Sequence, residues 1–151
     1  MPGGISFDGE FFTAVDARMV GAPAQLPRLP FLIAADGPKG MALAAEIGDG
    51  WVTLGEWGAT GDAWWAGVEE KLKRFEEATA ATGRTVERYL NFDSEIQFAL
   101  QSVDAYEDAA GRAEELGFDE LVTHWPRTEG IYGGTESTLI EVASRLPRNS
   151  L

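Results

Sequence analysis

The stretch FLIAADGPKGMALAAEIGDGWVTLG, residues 31–55, decides how this chain folds. Phe31 to Ala35 is a short apolar run bounded by Pro30 and Gly37, the pattern of a strand buried on both faces. Met41, Leu43, Ala44, Ala45 and Ile47 then make a short helix that Gly48 can end, and Trp51 to Leu54 gives a second strand. A strand, a helix and a strand in such close succession require a parallel pair joined by a helical crossover.

The same alternation continues downstream. After a glycine-rich loop, Asp62 is placed to cap a long helix, with Trp65, Val68, Leu72 and Phe75 inward, EEKLKRFEE on the solvent side and Gly83 at its end. Tyr89 to Phe92 reads as a third strand. Ser102 is the expected N-cap of a helix carrying Tyr106, Ala109, Ala113 and Leu116 and closed by Gly117. Glu120 to Trp125 reads as a fourth strand, and Thr135 as the cap of a last helix with Leu139, Val142, Ala143 and Leu146 inward. These are four consecutive strand-helix units without a detectable sequence repeat, and so an α/β chain with a parallel sheet. Such units build either an open doubly wound sheet or half of a (β/α)8 barrel. A complete barrel takes roughly 250 residues, more than the 151 here.

Ahead of these units, residues 1–29 read as an N-terminal arm, broken by Pro2, Pro23 and Pro27. ISFDGEFF suits a hairpin strand and GAPAQLPRLP an extended connector. Residues 30–151 form the domain proper.

Bulk composition removes several function classes. Twenty-five acids against twelve bases give a formal charge of −13, which disfavours nucleic acid and anionic membranes as partners. The chain has no cysteine and one histidine, so disulfides, thiolate chemistry and two-histidine metal sites are excluded. No apolar run is long enough to span a bilayer, and MPGGISFDGEFF lacks the features of a signal peptide, so a cytoplasmic location is expected.

Ligands collect at the carboxyl ends of parallel strands in both candidate architectures. After the first strand come Asp36, Gly37, Pro38, Lys39 and Gly40. Gly37 permits a tight, left-handed turn and Pro38 suits the first helical position. The free N–H groups near Lys39 and Gly40 then offer an anion cradle. A plain strand-to-helix turn capped by Asp36 fits the same residues. Thr53 ends the second strand as a ligand donor or an ordinary β-former, and Trp57 in the following loop is a lid or a buried anchor. Asp93, Ser94 and Glu95 follow the third strand as a ligand-orienting group or as turn chemistry. The fourth is followed by His124, the one side chain of a type that titrates near neutrality, and by Arg127, a permanent cation suited to phosphate. Gly133, Gly134 and Thr135 present backbone N–H groups at the next helix start. A structural histidine and a surface ion pair are the alternatives for His124 and Arg127.

Taken together, these words resemble the C-terminal half of the bacterial-luciferase-like oxidoreductases, strands five to eight of a TIM barrel. The likeness lies in Pro30, in Ala34-Ala35-Asp36-Gly37-Pro38, in the helix from Met41 to Ala45 and in Asp49-Gly50-Trp51, supported by LGFDELVTHWPR and SFDGEFFTAVDARM. The resemblance implies FMN or F420 as cofactor, small-molecule substrates and oxidoreductase or monooxygenase chemistry. It places the cofactor at Gly37 and Pro38, with Ala35, Asp36, Lys39 and Gly40 around them. Thr53 then lies near substrate, Arg127 near phosphate, and His124 is a candidate catalytic group. The family's N-terminal half, with much of its ring-binding surface, is not matched. The resemblance therefore leaves three readings, a fragment of such an enzyme, one half of a split enzyme that pairs with the missing half, or a half-barrel that pairs with itself, and implies incomplete catalysis by the chain alone. A non-catalytic cofactor-binding or assembly half-barrel is the competing function.

Overall fold

The computed structural model describes residues 4–18, 21, 24–91, 93 and 98–146; Pro2, Pro23, Phe92, Ser94 and Glu95 of the preceding reading lie outside these. The chain begins with an antiparallel hairpin, β1 (Ile5–Asp8) and β2 (Thr13–Ala17). ISFDGEFF thus supplies the first strand of a hairpin and its turn, as expected. Four strand-helix units follow: β3 (Leu32–Ala34) and α1 (Pro38–Ile47), β4 (Gly50–Thr53) and α2 (Gly61–Thr82), β5 (Glu87–Asn91) and α3 (Val103–Leu116), β6 (Glu120–Val122) and α4 (Glu136–Arg145). A 3-10 turn, Ala99–Gln101, precedes α3.

The strands are parallel and lie in the order β3-β4-β5-β6. No strand exchanges place with a neighbour, which rules out the doubly wound alternative. Successive crossovers of one hand put every helix on one face of the sheet, the arrangement of a (β/α)8 barrel cut in half. Ile33, Trp51, Leu90 and Leu121 share that face, and Met41, Ala44, Ala45, Phe75, Tyr106, Ala113 and Val142 pack onto them from the helices. Trp51 is the centre of this core: its ring stacks on Phe75 at 4.2 Å and its Nε1 donates to the carbonyl of Ala35 at 2.7 Å.

The opposite face is open. Leu32 is 52% exposed and Val122 37%, and Gly50, Val52 and Tyr89 share their side of the sheet by register. The first strand is therefore buried on one face only, because the layer that a barrel would place over its apolar residues is not among the described residues. Gly50 in the Asp-Gly-Trp segment has a steric role here. A Cβ at this position would stand 2.4 Å from the side chain of Leu32 and 2.7 Å from that of Tyr89.

Element ends follow the sequence closely at α3 and α4. Ser102 and Thr135 accept from the N–H groups of Ala105 and Thr138, and Gly117 and Gly83 take left-handed conformations at the ends of α3 and α2. Several expectations change. α2 begins after Thr60 and not at Asp62, which instead pairs with Arg112 at 2.9 Å. Lys71, read as solvent-facing, is buried, and so is Trp64. β6 stops at Val122, short of Trp125. Ala143 and Leu146 are exposed: Ala143 lies off the buried side of α4 that carries Val142, and Leu146 is the C-cap beyond the helix end.

Candidate functional site

Two polar clusters stand at the carboxyl edge of the sheet. The first joins the ends of β3 and β4. Asp36 does not cap α1: the N-cap is Gly37, at φ −100, with no side-chain cap bond. The left-handed turn anticipated at Gly37 is absent. Asp36 is instead turned toward α2, where its Oδ2 meets Nζ of Lys71 at 3.1 Å and its Oδ1 accepts from Thr53 Oγ1 at 2.6 Å. Lys71 also donates to the carbonyls of Leu54 and Gly55, at 2.9 and 3.2 Å. All three ammonium donors are thereby used, and the loops after β3 and β4 are tied to one another. Thr53 is 1% exposed, so its hydroxyl supports Asp36 rather than facing the opening.

With Asp36 drawn aside, the first turn of α1 is left without a side-chain cap and without an acidic residue. Pro38 occupies the first helical position, and Met41 N–H is the first to bond back, to Gly37 O at 2.9 Å. The N–H groups of Lys39 and Gly40 lie ahead of that first bond, at the positive end of the helix dipole. The space above this turn is free. A Cβ built on Gly37 meets nothing within 4 Å, whereas one on Gly40 would stand 2.8 Å from Ala35 Cβ. Gly40 is thus required by helix-strand packing, while Gly37 is not required by the fold. Lys39 is exposed and makes no ion pair among the described residues. An open backbone cradle beside one exposed cation suits an anionic group.

The second cluster joins the ends of β5 and β6. Asp93 is buried, and its Oδ2 accepts from Thr123 Oγ1 at 2.8 Å and from the backbone N–H of His124. Nδ1 of His124 lies 3.1 Å from the same oxygen, and the imidazole stacks on Tyr132 at 4.2 Å between centroids. The first cluster straddles β3 and β4 and the second β5 and β6, so their centres lie two strand spacings apart, about 10 Å along the edge. Arg127 is exposed, with no ion pair among the described residues. The glycine N–H groups beside it are not available as donors to a ligand: Gly133 bonds to Gly130 O and Gly134 to Arg127 O. Trp57, 85% exposed, is not a buried anchor. The described residues contain no group of three or more histidine, aspartate or glutamate side chains able to hold a metal, and no described helix is long and apolar enough to cross a membrane.

Lys71 escaped the reading of the sequence although a signal was present. It lies three residues after Val68 and four before Phe75, on the apolar stripe of α2. The partnership of Asp93 with His124 had no such signal, since thirty-one positions separate them.

Four parallel strand-helix units with polar clusters at the carboxyl ends of the strands define a half-barrel of the (β/α)8 class. Residues 3–106 match the family of luciferase-like monooxygenases, and the chain belongs to that family. A solved structure of an F420-dependent secondary alcohol dehydrogenase, in complex with an F420–acetone adduct, superimposes with a TM-score of 0.54 at 14% identity. The likeness is one of fold. It covers 82% of this chain and 50% of that one, so the chain spans half the length of the protein it resembles.

Proposed function

We propose that this chain is the cofactor-holding module of a flavin- or F420-dependent oxidoreductase, with residues 1–29 as an arm and 30–151 as the binding unit. The observation that carries this reading is the uncapped start of α1 on the ligand-binding edge, with open space over Gly37. Backbone N–H groups of Lys39 and Gly40 receive an anionic portion of the cofactor, and Ala35, Asp36 and Pro38 shape the turn beneath it. Lys39 adds a cation, and Arg127 offers a second one across the edge. When bound, such a cofactor supplies the hydride or electron chemistry; the chain binds and orients it. The Lys71 anchor holds Asp36 away from the cradle, which keeps a carboxylate from competing with the incoming anion.

The free edges of β3 and β6 and the open sheet face favour a second element of this reading: four further strands, from another chain or a second copy, complete the enclosure. If such a complex formed without any cofactor affinity, the chain would be an assembly module.

Fluorescence titration with FMN and with F420 tests the cradle, using Gly37→Ala as the diagnostic variant. Its Cβ meets no protein atom and φ −100 suits alanine, so the thermal midpoint stays unchanged. Cofactor binding weakens about tenfold, equivalent to about 1.4 kcal/mol. Retention of full affinity by the variant, or no binding of either cofactor by the parent, would overturn the assignment.

A further inference from the structure

We propose that Asp93 and His124 form a carboxylate–imidazole pair that offers Nε2 of His124 as proton acceptor to a hydroxyl-bearing ligand at the ends of β5 and β6. An ionised carboxylate only accepts hydrogen bonds, so the 3.1 Å contact between Asp93 Oδ2 and His124 Nδ1 places the ring proton on Nδ1. The lone pair is then on Nε2. The ring is fixed in plane by Tyr132, stacked at 12°, which in turn meets Phe98 edge-on at 5.7 Å. Arg127 N–H bonds to Tyr132 O at 2.8 Å and holds that loop against the ring.

Burial distinguishes this pair from a surface contact. The Asp93 side chain is 0% exposed while that of His124 is 42% exposed. The charge is thus sealed behind the imidazole and the imidazole itself remains reachable. A second feature points the same way. Asp93 Oδ1 is buried and has no hydrogen-bond partner among the described residues, so the carboxylate exceeds what local structure consumes.

The proton step balances within the pair and its ligand. The O–H bond of the ligand breaks, its proton joins Nε2, and the electron pair stays on the ligand oxygen. The imidazolium so formed faces the Asp93 carboxylate, and its Nε2–H donates back to the oxyanion. Asp93 touches no ligand in this scheme and is a positioning residue, with Thr123 holding its Oδ2.

His124 is the only histidine in the chain, so ring-nitrogen chemical shifts of the isotope-labelled protein report on it without assignment. The neutral ring is expected as the Nδ1–H tautomer, moving toward Nε2–H in Asp93→Asn. Para-nitrophenol serves as the hydroxyl probe: its phenolate absorption is expected to rise on binding to the parent chain and to vanish with His124→Gln. A dominant Nε2–H tautomer in the parent, or equal probe spectra for the parent and His124→Gln, overturns the proposal. If Asp93→Asn fails to fold, the parent tautomer and the His124→Gln comparison still decide. Neither readout needs FMN or F420, so a failure of the α1 cradle remains separable.

Discussion

Lys71 illustrates how one side chain sets the state of a site it does not line. Its ammonium, 8% exposed as a residue, holds Asp36 and two loop carbonyls together. Replacing it by methionine retains the packing of the stem and removes three polar contacts. Lys71→Met is expected to lower stability by about 2 kcal/mol in urea unfolding, since the carbonyls of Leu54 and Gly55 lose a charged donor. Asp36 is itself more than a third exposed, so its share of the loss is small. The carboxylate freed by this change can swing toward α1 and cap it, and cofactor affinity then falls as well. At this scale the sequence revealed the candidates at strand ends, including Gly37 and His124, because position along a strand-helix unit is a local property. It did not reveal which of them touch, because the partners of Asp36 and Asp93 come from α2 and from the loop after β6.

The elements are joined at their opposite, amino-terminal ends by a different device. Asp49, just before β4, accepts from Arg28 and from the backbone N–H of Phe31, the latter at 2.7 Å, and so pins the start of β3 beside β4. The bond from Arg28 and then that from Phe31 hold the Asp49 carboxyl below its ordinary value of 3.8. A depressed folded value means the contribution is complete above the unfolded value and is lost as pH falls through the folded one. Thermal melts from neutral pH to below 3.8 should therefore show a component of acid destabilisation that disappears in Asp49→Asn. A parallel slope in both proteins would refute the tie. Element existence and type followed from apolar periodicity, and the caps Ser102 and Thr135 from residue type. The caps expected of Asp36 and Asp62 do not form, because Asp36 is tied to Lys71 and Asp62 falls inside the first turn of α2, facing Arg112; Pro38 does open α1, as its residue type implied.

Across the whole molecule, the sheet is clad on one face and bare on the other. Leu32 and Val122 belong to the bare face, and if a second set of strands covers it, charge there is costly. The parent chain is expected to sediment as a species larger than one chain, and Leu32→Lys with Val122→Lys to return it to a monomer of unchanged circular dichroism. A monomeric parent would refute self-pairing and leave a separate half as the partner. The sequence by itself determined the four strand-helix units, their parallel pairing and which residues stand at the carboxyl edge of the sheet. These follow from local periodicity, turn residues and the chirality of crossovers, all carried within a few dozen consecutive positions. Only the tertiary structure decided the strand order, the open face and the pairs Asp36–Lys71 and Asp93–His124. Such contacts join residues far apart in the chain, where burial and charge compensation, and not local propensity, choose the partner.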